Sequence, residues 1–444
     1  MIFYAFPMAP PKYLPITPWH QYLLDTYFDP KGITRFRDSW TLTDALHIRP
    51  ACDVRALRRA VDRVLRRHDT LRLRFVETGG NWQAQMQPTL PEGLVIEEHG
   101  EMDECALHQC VNARAAEPID LLSDQLVDIR VLRFGAMGDV VLLRIHHAIV
   151  DGYGIVLLIE ELIKTMLRMP LAPTSMGYEE YLDYWYGQSA ETLAERKVYW
   201  DALLDPVDPA PDFGSTAGGR PPPPEFRGCT DAAVHKLPMS DAETRRIMET
   251  AALAGTSFAT ISTAAFCEGL CTVTGLDRIY YTHVLGRSDG RLMGYLGEHT
   301  MDPILRYHAQ TGLSAAERGR GVMQLLGESA DKMPSETSHP ACAWEHRIYE
   351  GGGFARQFGS WLDGPAGKVS SSPVEAFFLT GEADSLTHDG LQLSRVPLPE
   401  LEEPQNELTL KIDHFGELPK MSFVYDAAWY STQDLERLWD NMPW

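Results

Sequence analysis

The chain has 444 residues, 44% of them hydrophobic and 23% charged, with a formal net charge of −22 at pH 7. This length exceeds what one hydrophobic core usually supports and predicts two lobes. The charge argues against general binding to nucleic acid or anionic membranes, and an acidic partner would need a local basic patch or an apolar surface. No apolar run approaches the roughly 20 residues of a membrane span. The N-terminal segment lacks the basic start and long hydrophobic block of a signal peptide.

The cysteines are odd in number and contain no CxxC pair; they are Cys52, Cys105, Cys110, Cys229, Cys267, Cys271 and Cys342. Cys267 and Cys271 lie four residues apart in a predicted buried helix, so core packing explains them better than a redox or metal role. Together these features predict a reduced, cytoplasmic protein.

The first predicted helix has two contrasting faces. Asp53 is a suitable N-cap, and one face is apolar, with Val54, Leu57, Val61, Val64 and Leu65. The opposite face is basic, with Arg55, Arg58, Arg59, Arg63 and Arg66. This face is either a solvated surface or a docking patch for an acidic partner.

Further along the first half, residues 70–75 alternate and predict a strand that ends at the turn 78–81. Residues 140–145 are nearly all apolar, as in a central strand buried on both faces. Apolar residues then follow at helical spacing from Ile155 to Met166. The segment between them, residues 146–154, therefore joins a buried strand to an amphipathic helix.

The second half begins after a linker at residues 169–174, and its first predicted helix carries Tyr181, Tyr184 and Trp185. Residues 205–228 are rich in proline and glycine and predict a long surface loop. Helix and strand signals then alternate: a helix at 258–273, strands at 279–285, 408–414 and 421–425, and a last helix from about Thr432. The fold class is α/β with two lobes, residues 1–175 and 176–444. The second lobe could repeat the architecture of the first, although no sequence repeat is evident.

The candidate catalytic segment is residues 146–152, His146-His147-Ala148-Ile149-Val150-Asp151-Gly152. Adjacent strand residues point to opposite faces, so at most one of the two histidines faces a cleft. Asp151 and Gly152 suit a tight turn, in which Gly152 could take a positive φ. A histidine fixed at a strand end is a plausible general base near neutral pH. A buried histidine or a metal ligand stays open as an alternative, although HxxxD is not a strong zinc pattern.

Several segments resemble the condensation domains of nonribosomal peptide synthetases, a branch of the chloramphenicol-acetyltransferase-like superfamily. HHAIVDG resembles their HHxxxDG motif, and residues 67–75, RHDTLRLRF, are similar to RHExLRxxF. In chain order, the other similar segments are residues 16–20, 178–181, 286–288 with 293–296, and the last strands. Two positions depart from the pattern: His20 stands where the family usually has Gln, and Glu298-His299 replace Asn-Thr.

The resemblance implies a fold and a reaction. The two lobes would form a V around a central substrate tunnel, with His147 at its middle. A carrier protein would deliver an acyl or aminoacyl group as a phosphopantetheine thioester, and an amine or alcohol acceptor would take it as an amide or ester. The enzyme would be an acyltransferase that holds no permanent cofactor and no metal, and it would act as a monomer.

The resemblance also assigns roles to residues of the site. His147 would orient the acceptor or take its proton, and the amide of Gly152 could help to bind the oxyanion. Asp151 would form a buried ion pair with Arg287, and His146 would pack behind the loop. Supporting or cleft positions are Arg67, Arg72, Glu298 and His299, of which the last two bear on acceptor geometry.

Three alternatives stay open: an acyl-CoA-dependent acyltransferase of the same superfamily, an epimerisation-type domain that shares HHxxxDG, and an inert relative that only recruits a protein. Heterocyclisation is disfavoured, because cyclisation domains replace HH with paired aspartates. The length fits one condensation unit, either free-standing or excised from a larger synthetase.

Overall fold

The computed structural model describes residues 11–17, 19–21, 23–24, 40–90, 93–174, 176–204, 232–284, 287, 290–299, 304–333, 374–380, 385–388, 390–398, 408–414, 416–427 and 430–444. The predicted loop at 205–228 lies outside the described residues, as do Gly286 and Ser288 of the segment that resembles the family.

The first half of the chain has mixed helices and strands. Its strands are β1 (Lys12–Leu14), β2 (Thr41–Arg49), β3 (Leu73–Thr78), β4 (Asn81–Met86), β5 (Leu94–Glu98), β6 (Val127–Arg133) and β7 (Asp139–His146). Its helices are α1 (Val54–Arg67), α2 (Glu104–Ala115) and α3 (Gly152–Met166).

The second half has the helices α4 (Tyr178–Tyr186), α5 (Ala190–Leu204), α6 (Asp241–Ala254), α7 (Phe258–Thr274), α8 (Ala315–Asp331) and α9 (Thr432–Asp440). Its strands are β8 (Ala232–Lys236), β9 (Arg278–His283), β10 (Ile304–His308), β11 (Val374–Thr380), β12 (Ser385–His388), β13 (Leu391–Arg395), β14 (Leu408–His414) and β15 (Lys420–Asp426).

Two six-stranded sheets organise the molecule. The first has the order β12-β13-β2-β7-β6-β5, and the second has the order β10-β9-β11-β14-β15-β8. A third sheet has three strands in the order β1-β4-β3. In the first sheet β7 pairs antiparallel with β2 and β6, and all eight of its residues are buried. The prediction of a central strand at residues 140–145 is thus confirmed.

The hairpin β12–β13 belongs by sequence to the second half but completes the sheet of the first half. Leu393 pairs with Ile48 of β2, and Arg395 donates to Asp44 at 2.6 Å. The predicted boundary near residue 175 therefore does not separate the two sheets completely. A small part of the second half crosses over to close one edge of the first sheet.

The predicted strand at residues 70–75 is wrong for its first half. Asp69–Arg72 form one turn of 3₁₀ helix, and β3 begins only at Leu73. Tertiary hydrogen bonds explain the difference, because Asp69 accepts from Tyr178 N and the Thr70 hydroxyl donates to the carbonyl of Leu296. The alternating pattern of apolar and polar side chains does not reveal these distant partners.

The core of the second half centres on α7. Its residues 258–271 are all buried, including Cys267 and Cys271, which confirms core packing for these two cysteines. Burial raises the pKa of Cys271 to about 12, so its thiol stays protonated. Within the described ranges, no single helix has the length and apolar composition of a membrane span; α6 and α7 meet that test only as a pair bent by 107°.

Candidate active site

The loop after β7 is fixed by its own side chains. His146 ends the strand, and its Nδ1 accepts from the amide of Ala148 at 3.0 Å, which closes one 3₁₀ turn over residues 147–149. Asp151 then caps α3, because its Oδ1 accepts from the amide of Gly154 at 2.6 Å. The amide of His147 donates to the carbonyl of Trp40 at 2.6 Å. These bonds hold the main chain of the loop on both sides of His147.

The His147 ring forms none of the hydrogen bonds that hold the loop. The residue is partly exposed, and its Nδ1 is buried without a hydrogen-bond partner among the described residues. The Trp40 ring lies edge-on to it, with centroids 5.8 Å apart. Burial lowers the pKa of His147, against smaller opposing effects from its own backbone and from Asp151. The ring is therefore neutral at pH 7 and able to accept a proton.

The neighbouring histidine has a different environment. His146 is only 3% exposed, and burial, with a smaller effect from His147, lowers its pKa to about 3. Its Nδ1 is used by the amide of Ala148. His146 therefore stays neutral and serves the geometry of the turn. The two rings lie in different surroundings, because the strand ends at His146 and His147 begins the 3₁₀ turn.

His20 supports the same loop from a distant part of the chain. Its Nε2 lies 2.7 Å from the carbonyl oxygen of Ala148, and its Nδ1 lies 2.9 Å from the hydroxyl of Thr17. Because Nδ1 also faces the Thr17 amide at 3.3 Å, Nδ1 accepts and Nε2–H donates to Ala148. Burial lowers the pKa of His20 to about 4, which keeps this tautomer neutral. The sequence singled out His20 only as a departure from a motif, and nothing in it indicated the bond to Ala148.

Asp151 and Arg287 form a buried ion pair. Nη2 of Arg287 lies 2.8 and 2.7 Å from the two carboxylate oxygens, and the two side chains are 2% and 6% exposed. Burial by itself lowers the pKa of Arg287, but the Asp151 carboxylate outweighs it and the pKa is raised. The pair joins the loop at the head of α3 to a segment of the second half of the chain.

Arg287 also organises the segment around it. Its guanidinium donates to the carbonyls of Leu292, Tyr295 and Gly297, and it lies 4.7 Å from the ring centroid of Tyr153. A β-carbon on Gly297 would come within 2.2 Å of the Tyr295 ring, so only glycine fits there without movement. Arg287 therefore holds together the carbonyls of the segment that follows it, in addition to pairing with the Asp151 carboxylate.

Glu298 and His299 are buried, 4% and 5% exposed, and His299 contacts the loop. The amide of His299 donates to Asp151 Oδ2 at 3.1 Å, and its Nδ1 lies 2.9 Å from the Tyr181 hydroxyl. Burial, and then the charge of Glu298, raise the pKa of Tyr181. The structure thus brings this departure from the family pattern into contact with the HHxxxDG loop.

Arg67 and Arg72 point to other parts of the structure. Nε of Arg67 pairs with Glu161 of α3 at 3.1 Å. Nη1 of Arg72 lies 2.5 Å from the carbonyl of Leu65, and its Nε donates to the carbonyl of Gln87 at 3.2 Å. Both side chains tie α1 to its neighbours, which is a supporting position.

The two glycines at the start of α3 differ in what they require. The predicted positive φ of Gly152 is wrong, because Gly152 opens α3 and is not among the glycines with positive φ. The extended backbone of Asp151, with φ −98° and ψ 179°, makes the turn instead. Gly154 has no room for a side chain. A β-carbon there would lie 2.5 Å from Val150 Cγ2 and 3.1 Å from Asp151 Oδ1.

The described residues around the loop do not form a set of metal ligands. Within the part of the chain that the structure describes, no group of three or more His, Cys, Asp or Glu side chains could hold a metal ion. What the loop offers is one available imidazole, a set of fixed main-chain amides and a buried ion pair.

The family model of the condensation domain matches residues 33–299, well over half of the chain. Chondramide synthase cmdD of Chondromyces crocatus is 26% identical over 311 residues, which are 67% of this chain but 8% of that protein. The chain thus spans a small fraction of the length of this synthase.

Two solved structures share the fold. The SgcC5 protein from Streptomyces globisporus has a TM-score of 0.72 at 16% identity, over 97% of this chain and 98% of that one. The epimerization domain from the third module of tyrocidine synthetase B has a TM-score of 0.72 at 15% identity, over 99% and 97%. The fold is the chloramphenicol-acetyltransferase-like fold that condensation domains have. The chain belongs to the condensation domain family.

Proposed function

We propose that this protein is a condensation enzyme, which transfers an acyl or aminoacyl group from the phosphopantetheine thioester of a carrier protein to an amine or alcohol acceptor. Condensation domains of this family work with carrier proteins and acyl or aminoacyl substrates. The product would be an amide or an ester in biosynthesis of the nonribosomal peptide type.

The observation that carries this proposal is the contrast between the two histidines. The ring of His146 is buried and its Nδ1 is bonded within the loop, whereas His147 is a partly exposed residue whose buried Nδ1 has no partner among the described residues. The surrounding bonds fix the loop without using the His147 ring. Such an arrangement suits a group that acts on a substrate.

In the proposed step, the acceptor nitrogen or oxygen attacks the thioester carbonyl, the new C–N or C–O bond forms, and the C–S bond breaks. Because Nδ1 of His147 is buried, Nε2 is the nitrogen available to take the acceptor proton and return it to the departing thiolate. Holding both reactants beside one fixed imidazole supplies much of the acceleration by positioning. The amide of Gly152, the first residue of α3, is the candidate donor to the oxyanion.

Asp151 acts only through position in this mechanism. Its carboxylate is occupied by Gly154, Arg287 and His299 and has no role toward the acceptor. Glu298 and His299 replace the usual residues beside this carboxylate, and we place them at the acceptor side of the site. They are candidates to set which acceptor binds.

The test uses carrier domains loaded with candidate acyl groups and a panel of amines and alcohols, with product detection by mass spectrometry. A new amide or ester that His147→Ala loses, and that the exposed-histidine control His308→Ala retains, supports the proposal. Equal transfer by His147→Ala and wild type contradicts the assignment of His147.

Two further arms separate the alternatives. The same acyl group presented on CoA distinguishes an acyl-CoA enzyme, which would turn over CoA thioester and ignore the carrier. Incubation of an aminoacyl carrier in D₂O distinguishes an epimerisation domain, which would exchange the α-proton without forming a new bond. Neither outcome agrees with the proposed condensation.

A further inference from the structure

The outer side of α1 carries a strip of basic side chains that the fold does not use. We call it the arginine face; all of its members are exposed, and it consists of Arg55, Arg58, Arg59, Arg63 and Arg66. Within the described ranges, none of these guanidinium groups forms an ion pair or a side-chain hydrogen bond. At 1.5 Å per residue, the strip from the first to the last arginine is about 16 Å long.

The next two arginines, Arg67 and Arg72, differ from this strip because their side chains bond to other parts of the protein. Arg67 pairs with Glu161, and Arg72 donates to main-chain carbonyls around the end of α1. The arginine face has no comparable contacts. Several pairs of its members lie three or four residues apart, where like charges destabilise a helix by a few tenths of a kcal/mol. The strip therefore weakens the isolated helix slightly.

Charge makes the arginine face unusual in this protein. The whole chain has a formal net charge of −22, whereas α1 has six arginines and a single acidic residue, Asp62. An acidic protein would be repelled by most of this molecule and attracted to this helix. The face thus fits a partner that presents a negative helix or strip of similar length.

The arginine face is also rigidly connected to the candidate active site. Glu161 of α3 accepts from Arg67 at the end of α1, and its other oxygen lies 2.7 Å from Nε2 of His68. The apolar side of α1 is fully buried through Leu57, Val61 and Val64. Since Asp151 caps the other end of α3, a protein that docks on α1 has a fixed position relative to His147.

We propose that the arginine face of α1 is the docking surface for an acidic carrier-protein domain, the one that delivers the thioester. This inference rests on the proposed function for the identity of the partner. It names the surface through which that partner is recognised. The interaction is electrostatic, so binding weakens as ionic strength rises.

The test compares two double variants with equal change in total charge. Arg55→Glu/Arg59→Glu alters the first half of α1. Arg246→Glu/Arg320→Glu alters two exposed arginines of α6 and α8 and serves as the matched control. If both variants unfold at the same temperature as wild type, neither is misfolded.

The first readout is the Kd for a panel of acylated acidic carrier domains at low and high salt. The second is the KM and kcat for the same acyl group on a carrier, on CoA and on a short pantetheine mimic. We expect the α1 variant to raise the Kd and KM for carrier by about tenfold or more, while the control changes neither. Turnover of the pantetheine mimic stays unchanged, because this donor lacks the carrier surface.

The outcomes separate the two proposals. Equal carrier binding by the α1 variant and the control overturns the docking surface, as does a wild type that binds no acidic carrier. A loss confined to CoA also overturns it, since the arginines would then recognise phosphates. If carrier binding depends on the arginine face but no thioester donor is turned over, the docking surface stands and the proposed function fails.

Discussion

The carboxylate of Asp151 receives hydrogen bonds from the amides of Gly154 and His299 and from the guanidinium of Arg287. These donors come from both halves of the chain. A charge so enclosed is stable only while its partners are present, because an isolated buried ion is costly. The stability of the site and its geometry therefore depend on the same residue.

We expect Asp151→Ala to lower the free energy of unfolding by about 3–5 kcal/mol, because it leaves Arg287 buried without its counter-ion. Urea denaturation of the variant measures the loss. Glu417→Ala is the control: it breaks the exposed pair with Arg245 and should leave stability unchanged within error. If both variants are as stable as wild type, the buried pair does not hold the loop as described.

The hydrogen bond from His20 to Ala148 can be tested with a conservative and a non-conservative substitution. Glutamine can supply the N–H that His20 donates to the carbonyl of Ala148, whereas leucine cannot. We expect His20→Gln to keep most of the turnover and His20→Leu to lower kcat by about tenfold or more with little change in KM, since the residue next to His147 loses its anchor.

Steady-state kinetics with a saturating acceptor separates kcat from KM in this series. His47→Leu is the matched control, because His47 makes a similar 2.7 Å bond to a carbonyl, that of Met137, elsewhere in the first sheet. Equal kcat for His20→Leu and His47→Leu argues against a positioning role for His20.

At the level of elements, the sequence predicted the strand and helix that flank the HHxxxDG loop, because each has a clear hydrophobic period. It placed the start of β3 too early, because Asp69 and Thr70 are held by partners more than 100 residues away. The arginine face was predicted correctly as the exposed side of α1. Periodicity tells which side of a helix is buried, but not which distant carbonyl a side chain reaches.

Substitution by alanine at two helical glycines should change the stability of the protein in opposite directions. Ala replaces Gly in an exposed helix interior with a gain of about 0.5–1 kcal/mol. A β-carbon on Gly327 of α8 would have no other atom within 4 Å, so Gly327→Ala should stabilise the protein by this amount. Gly154→Ala should destabilise it, because the new methyl group collides with Val150 and approaches the Asp151 carboxylate.

Thermal or urea unfolding of the two glycine variants gives the sign directly. We also expect Gly154→Ala to reduce turnover, because displacement of the Asp151 side chain loosens the loop, while Gly327→Ala leaves turnover unchanged. Stabilisation by both substitutions contradicts the close packing at the head of α3.

At the level of the whole molecule, alternating helix and strand signals were sufficient to predict the α/β class, and the motifs were sufficient to predict the family. The pairing of β13 with β2 was not predictable, because it joins residues about 350 positions apart in sequence without a local signal. The hydrogen bond from the His299 amide to Asp151 was likewise not predictable from the sequence. It depends on how the segment after Arg287 folds back on α3.

Three buried histidines make the stability of the fold dependent on pH. Burial lowers the pKa of His20 to about 4, of His146 to about 3 and of His283 to about 4, from an ordinary value of 6.5. The unfolded chain therefore binds more protons than the folded one below pH 6.5. Their contribution to stability is complete above pH 6.5 and is lost progressively as the pH falls toward 4, by about 1.4 kcal/mol per pH unit for each proton.

The free energy of unfolding, measured from pH 7.5 to 4.5 at constant ionic strength, tests this dependence. His20→Gln removes one of the three groups and should make the fall with pH less steep, whereas His308→Gln, at an exposed position, should not. An unchanged slope in His20→Gln means that His20 is not protonated on unfolding in this range.

The measurement that addresses the role of His147 most directly is the pH dependence of kcat/KM for acyl transfer, in wild type and in His147→Ala. Burial lowers the pKa of His147, and the base must be unprotonated to act. We predict a wild-type rate that is constant through neutral pH and falls only below pH 6.5, and a low rate without this acid limb in His147→Ala. An identical acid limb in both proteins, or a wild-type rate that declines already above pH 7, would contradict proton transfer by His147.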